Sequence, residues 1–388
     1  MNQMNGGAAT SSAPGADGRR SGAQRIPFSP QLDTLRCIAV TLVALEHYLP
    51  YQLHKLGVDG GYGVWIFFTL SGFLITNILL DYRGGIETGQ TGTGYALKIF
   101  YIRRSLRIFP VFYLVTIFLY LTGFIAWENE LFWHLTYTTN IWTAINNEWG
   151  IYAGHLWSLA VEEQFYLVWP FIVLIAPARL LLPIVATSVV AAIAFRAWGV
   201  YADIGLATRV LPIGALDTLG TGALLAMLRA RGNSSALDLF RRYGGFVLLL
   251  LPVLGMLSTG LKEIVAPAVI AFSAAWLIDR CVIGFRGWLG TLFSLPPLIY
   301  LGRISYGLYL YHYIVRWYIP GTFGYDFGSH TANNLVSTVT WSTATILVAA
   351  LSWHLFESPI NNLKRYFHIV PRQDIDTQGV GKPSRQAT

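Results

Sequence analysis

Apolar runs near the roughly 20 residues needed to cross a bilayer recur from residue 34 to residue 356, and most charged side chains sit between them. A chain patterned this way is neither one soluble core nor a soluble domain with a single anchor. In lipid each run must satisfy its own backbone, which a helix does. Ten spans are expected, over 34–51, 62–81, 107–126, 156–176, 179–197, 211–229, 244–260, 263–281, 298–318 and 334–356. The expected fold is all-α: a polytopic integral membrane protein of about ten transmembrane helices. Only 12% of the 388 residues are charged, against about 25% in soluble domains.

The basic residues orient the spans. Placing the N-terminus inside assigns Arg83, Arg103, Arg104, Arg107, Arg229, Arg241, Arg280 and the C-terminal cluster around Lys364 to the cytoplasmic side. Lys55, Arg209 and Lys262 fall on the other side, and the loop over 127–155 holds no Lys or Arg. That bias predicts both termini inside, in a multi-pass protein of the cell membrane. Residues 1–30 and 367–388 read as disordered cytoplasmic tails flanking a membrane domain over 31–366. The N-terminal tail lacks an apolar signal core, so the first span is expected to act as an uncleaved signal anchor. The net charge of +7 follows from topology and suits anionic lipid, and no nucleic-acid partner is expected. Cys37 and Cys281 suggest neither a disulfide framework nor a metal site. No internal repeat of the transporter kind is evident. Gly214, Gly220 and Gly222 in one span suit close helix packing.

Arg36 and His47 lie eleven residues apart in the first span, LDTLRCIAVTLVALEHYLPY. In a helix that spacing returns to the same face, about 20° past three turns, with a rise of about 16 Å. Ionisable groups in a span mark candidate functional sites. The pair reads as an anion anchor at Arg36 and a general base at His47. A snorkelling arginine and an interfacial histidine would give the same spacing. In FYIRRSLRIFP, Arg104 and Arg107 share a face at the same membrane edge. Together with Arg36, and with Arg303 as a further candidate, they suit a polyanion such as a phosphate group. Topology-setting charge is the competing explanation.

The fourth span opens GHLWSLAVEEQFYLVWP, which aligns His155, Ser158, Glu162 and Tyr166 on one face. Glu162 is expected near the depth of His47, as its charge-balancing partner or as a structural carboxylate bonded to a neighbouring helix; Glu163 and Glu46 point elsewhere. In the ninth span Ser305, Tyr309, His312 and Arg316 form a polar face. His312 reads as an acceptor contact or as a packing histidine. Glu357 reads as a partner for a cytoplasmic arginine or as the end of its helix ahead of Pro359. Ser71 is not in a nucleophile elbow, since Leu70 precedes it and no glycine stands two before. Ser71-Gly72 suits close approach of a helix or a ligand. The loop over 127–155 carries Trp127, Trp133, Tyr137, Trp142, Trp149 and Tyr152 with Glu128, Glu130 and Glu148. That mixture suits sugar stacking and an interfacial belt equally.

LDTLRCIAVTLVALEHY, GVWIFFTLSGFL, FYIRRSLRIFP, HLWSLAVEEQFYLVWP, LGRISYGLYLYH and FESP occur in that order. Together, over about residues 31–366, they resemble the membrane acyltransferase type 3 family. The resemblance implies a ten-helix enzyme that moves an acyl group, often acetyl, from cytoplasmic acyl-CoA to a hydroxyl, commonly on an extracytoplasmic glycan. It implies catalytic roles for His47 and Glu162 and acyl-CoA contacts for Arg36, Arg104, Arg107, Ser71 and Gly72. His312, Tyr166 and Glu357 stand as acceptor or structural candidates.

The partners expected are acyl-CoA, a glycan, glycolipid or glycosylated small-molecule acceptor, and the lipid bilayer; no metal is expected. Direct transfer with His47 as base and a covalent acyl-histidine route both remain open. A proton-coupled transporter or flippase of a glycan or glycolipid is the alternative function.

Overall fold

The computed structural model describes residues 29–49, 59–123, 130–150, 153–232, 235–323 and 335–368. The expected terminal tails fall almost wholly outside these residues, as do Lys55, Trp127, Glu128 and Tyr152. Among the described residues there are helices and turns and no strands.

Helix α1 runs Pro30–Tyr48. Pro30 suits the first turn, where its missing N–H costs nothing, and Leu49 turns extended just ahead of Pro50. Leu32, Leu35, Ala39 and Val43 recur at helical spacing and are all buried. Helix α2 is Gly60–Glu87, capped by Asp59, whose side chain accepts from the Gly61 amide. Helix α3 is Thr93–Leu121, α4 Trp157–Ile175 after a 3₁₀ turn at Gly154–Leu156, and α5 Ala178–Tyr201. Helix α6 is Leu216–Ala230 and α7 Thr259–Ile283. Helix α8 is Pro296–Arg303, α9 Ser305–Phe323 and α10 Leu335–Ser352.

Seven helical stretches among the described residues are long and apolar enough to cross a membrane: those of α2 to α7 and α10 with their continuations. This is a multi-pass membrane protein. Helix α1 is less apolar because Asp33, Arg36 and Glu46 all fall within its 19 residues. Helix α9 is diluted by tyrosines and Arg316.

Three expected spans differ from what forms. Residues 244–260 do not make one helix; they make a 3₁₀ segment Gly244–Leu250 and a single turn Leu251–Leu254. Gly244, Gly245 and Pro252 interrupt the apolar run, and Gly244 and Gly245 abut the Trp276 ring. Residues 298–318 divide into α8 and α9 at Ile304. Helix α3 starts at Thr93, well before the expected 107, because arginine lowers hydropathy without weakening a helix.

Helices α2 and α6 cross at glycines on both sides. A Cβ on Gly72 would lie 2.0 Å from the Leu219 carbonyl oxygen, and one on Gly222 would lie 2.0 Å from that of Thr69. Only hydrogen permits that approach. Helix α1 packs against α2, α8 and α9, and Gly302 of α8 meets the Asp33 backbone. These contacts fix α1, and with it Arg36 and His47, at the centre of the bundle.

Candidate active site

Two cavities lie end to end along α1. The first, of about 250 Å³, is lined by Arg36 of α1, Arg104 and Arg107 of α3, and Glu162, Glu163 and Tyr166 of α4. Phe67, Leu70, Leu74 and Ile78 of α2 give it an apolar wall. Arg104 and Arg107 share a face because they are three residues apart, and Glu162 and Tyr166 because they are four apart. Arg36 pairs with Asp33 one turn earlier. The Arg104 guanidinium lies 4.9 Å from the Tyr166 ring centroid, a cation–π distance. The Tyr166 hydroxyl donates to Ser71 Oγ at 2.9 Å, and Ser71 donates to Glu162 at 2.6 Å. A chain of hydroxyls thus ties the carboxylate of α4 to α2 beside three cations. Such a site suits an anionic group.

The second cavity, of about 290 Å³, is lined by Glu46, His47, Trp149, His155, Trp157, Arg209 and Tyr313. His47 Nδ1 lies 2.9 Å from the Val43 carbonyl and 3.3 Å from His312 Nε2. Glu46 accepts from the Gly60 amide at 3.1 Å. Near this end Asp59 pairs with Lys262 at 2.9 Å and with Arg209 at 3.7 Å. Val64 and Tyr309 line both cavities and so form the wall between them. Tyr309 is held there by bonds of its hydroxyl to Ser158 at 2.6 Å and to the His155 carbonyl at 2.7 Å.

Several expected groupings change. Glu162 lies with Ser71 and the arginines, in the cavity that His47 does not line. His155 takes the level expected for Glu162, because α4 opens with a 3₁₀ turn at His47's depth. Glu162 then falls seven residues, about 10 Å, further along. Glu163 lines the arginine cavity rather than pointing away from it, and Glu46 lines the cavity of His47. Gly72 does not reach the cavity: it is turned about 100° from Ser71 and packs on α6.

The polar face of α9 divides. Ser305 and Tyr309 line the arginine cavity, while His312, fully buried, packs behind His47. Arg316 lies by the Trp317 and Trp341 rings. Arg303 does not line the arginine cavity. Glu357 accepts from Ser352 at 2.9 Å, and its helix does not stop there; it passes through a π turn into Ser358–Asn362. Among the loop aromatics Trp149 lines the His47 cavity, and Tyr137 stacks on Phe112 at 4.1 Å. Trp133, Trp142 and Glu130 surround a separate small pocket. Arg209, which the sequence offered only as loop charge, lines the His47 cavity.

A family model described as an acyltransferase domain matches residues 29–356. The chain belongs to the type 3 acyltransferase family. This acyltransferase is 28% identical over 387 residues to the peptidoglycan O-acetyltransferase of Listeria monocytogenes, covering 88% of the chain and 57% of that protein. It is 30% identical over 365 residues to a Bacillus subtilis protein provisionally named a peptidoglycan O-acetyltransferase, covering 86% and 55%. A Staphylococcus aureus protein provisionally named an O-acetyltransferase is 28% identical over 375 residues, covering 87% and 58%. The chain thus spans under three-fifths of the length of these curated relatives. No solved structure matches it.

Proposed function

We propose that this acyltransferase moves an acetyl group from acyl-CoA, held at the arginine cavity, to a hydroxyl of a carbohydrate-containing acceptor at the His47 cavity. The arginine end faces the cytoplasm, the His47 end faces outward, and both termini lie inside. The observation that carries the reading is the back-to-back pair of cavities, with three arginines in one and His47 in the other on the same helix. The rise of about 16 Å between Arg36 and His47 suits a donor whose phosphates stay at one end while its thioester reaches the dividing wall.

Arg36, Arg104 and Arg107 bind the phosphates of the head group, and the apolar wall of α2 takes the arm. Glu162 and Tyr166, joined through Ser71, keep Arg104 in place. An acceptor hydroxyl then attacks the thioester carbonyl carbon while His47 takes its proton. The C–O bond forms, the C–S bond breaks, and the imidazolium returns the proton to the leaving sulfur. One base suffices, with no covalent step on the protein. The acetyl choice and the glycan acceptor rest on the names of the relatives.

Native membranes supplied with acetyl-CoA labelled in its acetyl group test this. Label should pass into alkali-labile ester, and His47→Ala should lower the rate about 10²–10⁴-fold. Equal rates for His47→Ala and the wild type would end the proposal.

A further inference from the structure

We infer that His312 is the positioning residue for His47: with the Val43 carbonyl it holds the tautomer in which Nε2 of His47 is the basic nitrogen, and it accepts from Nδ1–H when that ring becomes charged. The inference rests on the acyl-transfer reading, in which His47 is the base.

Hydrogen-bond bookkeeping assigns the protons. His312 Nε2 and His47 Nδ1 are 3.3 Å apart, so one must donate and the other accept. On the far side His312 Nδ1 lies 2.6 Å from the Tyr309 carbonyl oxygen. A carbonyl only accepts, so His312 Nδ1 carries hydrogen, and Nε2 of the neutral ring is an acceptor. His47 Nδ1 lies 2.9 Å from the Val43 carbonyl and must likewise donate. Both ends agree. His47 shares its Nδ1 hydrogen between Val43 and His312, and its Nε2 carries the lone pair.

The reverse assignment fails twice. It would make His312 a doubly protonated cation at 0% exposure, and it would set a lone pair of His47 against the Val43 carbonyl. Burying an uncompensated charge is far costlier than burying a bonded neutral ring.

His312 is also held from behind. Its backbone carbonyl accepts from the Tyr48 hydroxyl at 2.8 Å, and that hydroxyl shares a second bond of 2.7 Å with Thr345. Tyr48 follows His47 directly, so one turn of α1 carries the base and anchors its partner. The His155 ring abuts His312 at a centroid distance of 5.0 Å, and Tyr313 abuts His47 at 4.8 Å. The two imidazoles therefore have little room to turn.

In the reaction, the hydroxyl proton moves to His47 Nε2 and later to the leaving sulfur. The Nδ1–H of the transient imidazolium becomes a stronger donor, and His312 Nε2 receives it. A carboxylate does this work in the serine protease triad. A neutral imidazole does it without adding a buried anion.

The test uses the same native membranes and labelled acetyl-CoA, together with nitrogen-15 spectra of histidine-labelled protein in bilayers. The His47 signals are identified by their loss in His47→Ala. Wild-type His47 should be protonated at Nδ1 and bare at Nε2, and His312→Phe, which leaves the Val43 bond, should keep that tautomer while shifting the Nδ1 signal. His312→Phe should lower kcat about 10- to 100-fold, the range known for groups that orient metal-binding histidines, with KM for acetyl-CoA unchanged. His312→Gln, whose side-chain oxygen can accept from Nδ1, should recover most of that loss. Wild-type kcat in His312→Phe, or His47 protonated at Nε2 in the wild type, overturns the inference. Should His312→Phe fail to accumulate, the wild-type spectrum decides alone. An active His47→Ala would remove the acyl-transfer reading, while the tautomer spectrum would still judge the pairing.

Discussion

Arg196 of α5 is 2% exposed, and its guanidinium meets both oxygens of Asp217 and the carbonyls of Gly214 and Ile264. Arg36, Arg104 and Arg107 are gathered from two helices around one cavity instead, with Asp33 as the ion-pair partner of Arg36 and an aromatic face beneath Arg104. The residue type is the same and the membrane is the same. In the first case every donor is met by the fold, so the side chain acts as a strut between α5, α6 and α7. In the second, three guanidiniums line one cavity together with the carboxyls of Glu162 and Glu163, so their charges face a shared space rather than a closed set of bonds. The contrast separates an arginine that holds the bundle together from arginines gathered around a cavity.

Substitutions can break that comparison. Arg196→Ala should act on the fold: it leaves Asp217 buried and uncompensated, at a cost of about 3–5 kcal/mol. The readout is a lower unfolding temperature in detergent and less folded protein in the membrane. An unaltered unfolding temperature would show that Arg196 is no strut. The pair Arg104→Ala and Arg107→Ala should act on the donor. Each charged hydrogen bond to phosphate is worth about 1.5–3 kcal/mol, so half-saturating acetyl-CoA should rise at least about 10-fold while thermal stability stays near wild type. If the double variant unfolds early and binds normally, the two groups of arginines are alike after all. Tyr166→Phe should be mildest. It removes the donor to Ser71 and keeps the ring under Arg104, costing about 1 kcal/mol, a few-fold in acetyl-CoA affinity. A large loss there would mean that the hydroxyl relay, rather than the cation–π contact, positions Arg104.

The same contrast explains what the sequence disclosed. Helices α2 to α7 were visible because lipid forces apolar runs into helices. Gly222 was legible as a packing glycine, since small residues in a span have few other uses. The breaks near 250 and at Ile304 were hidden because hydropathy averages over the glycines and prolines that end a helix. Arg36, Arg104 and Arg107 stood out by their spacing, and they do meet at one cavity. The partner of Glu162 did not stand out, since depth counted along a helix says nothing of rotation or of a 3₁₀ first turn. His312 was readable as polar and inward, but its neighbour could not be known without the crossing of α1 and α9. Gly72 adjoins Ser71 in sequence, but the helix turns it about 100° away and onto α6.

Tyr309 and Val64 are all that the two cavities have in common. In a bilayer, cavities reaching inward from opposite ends shorten the path over which the membrane potential falls. On the proposed orientation, with the cavities open to opposite membrane faces, the steepest part of that voltage would fall near the wall that Val64 and Tyr309 share. For the proposed reaction the partition would have to be thin enough for chemistry to reach through it and tight enough to leak no protons. On that orientation the two bonds that pin the Tyr309 hydroxyl to Ser158 and the His155 carbonyl would hold an electrical barrier in place as well as a structural one.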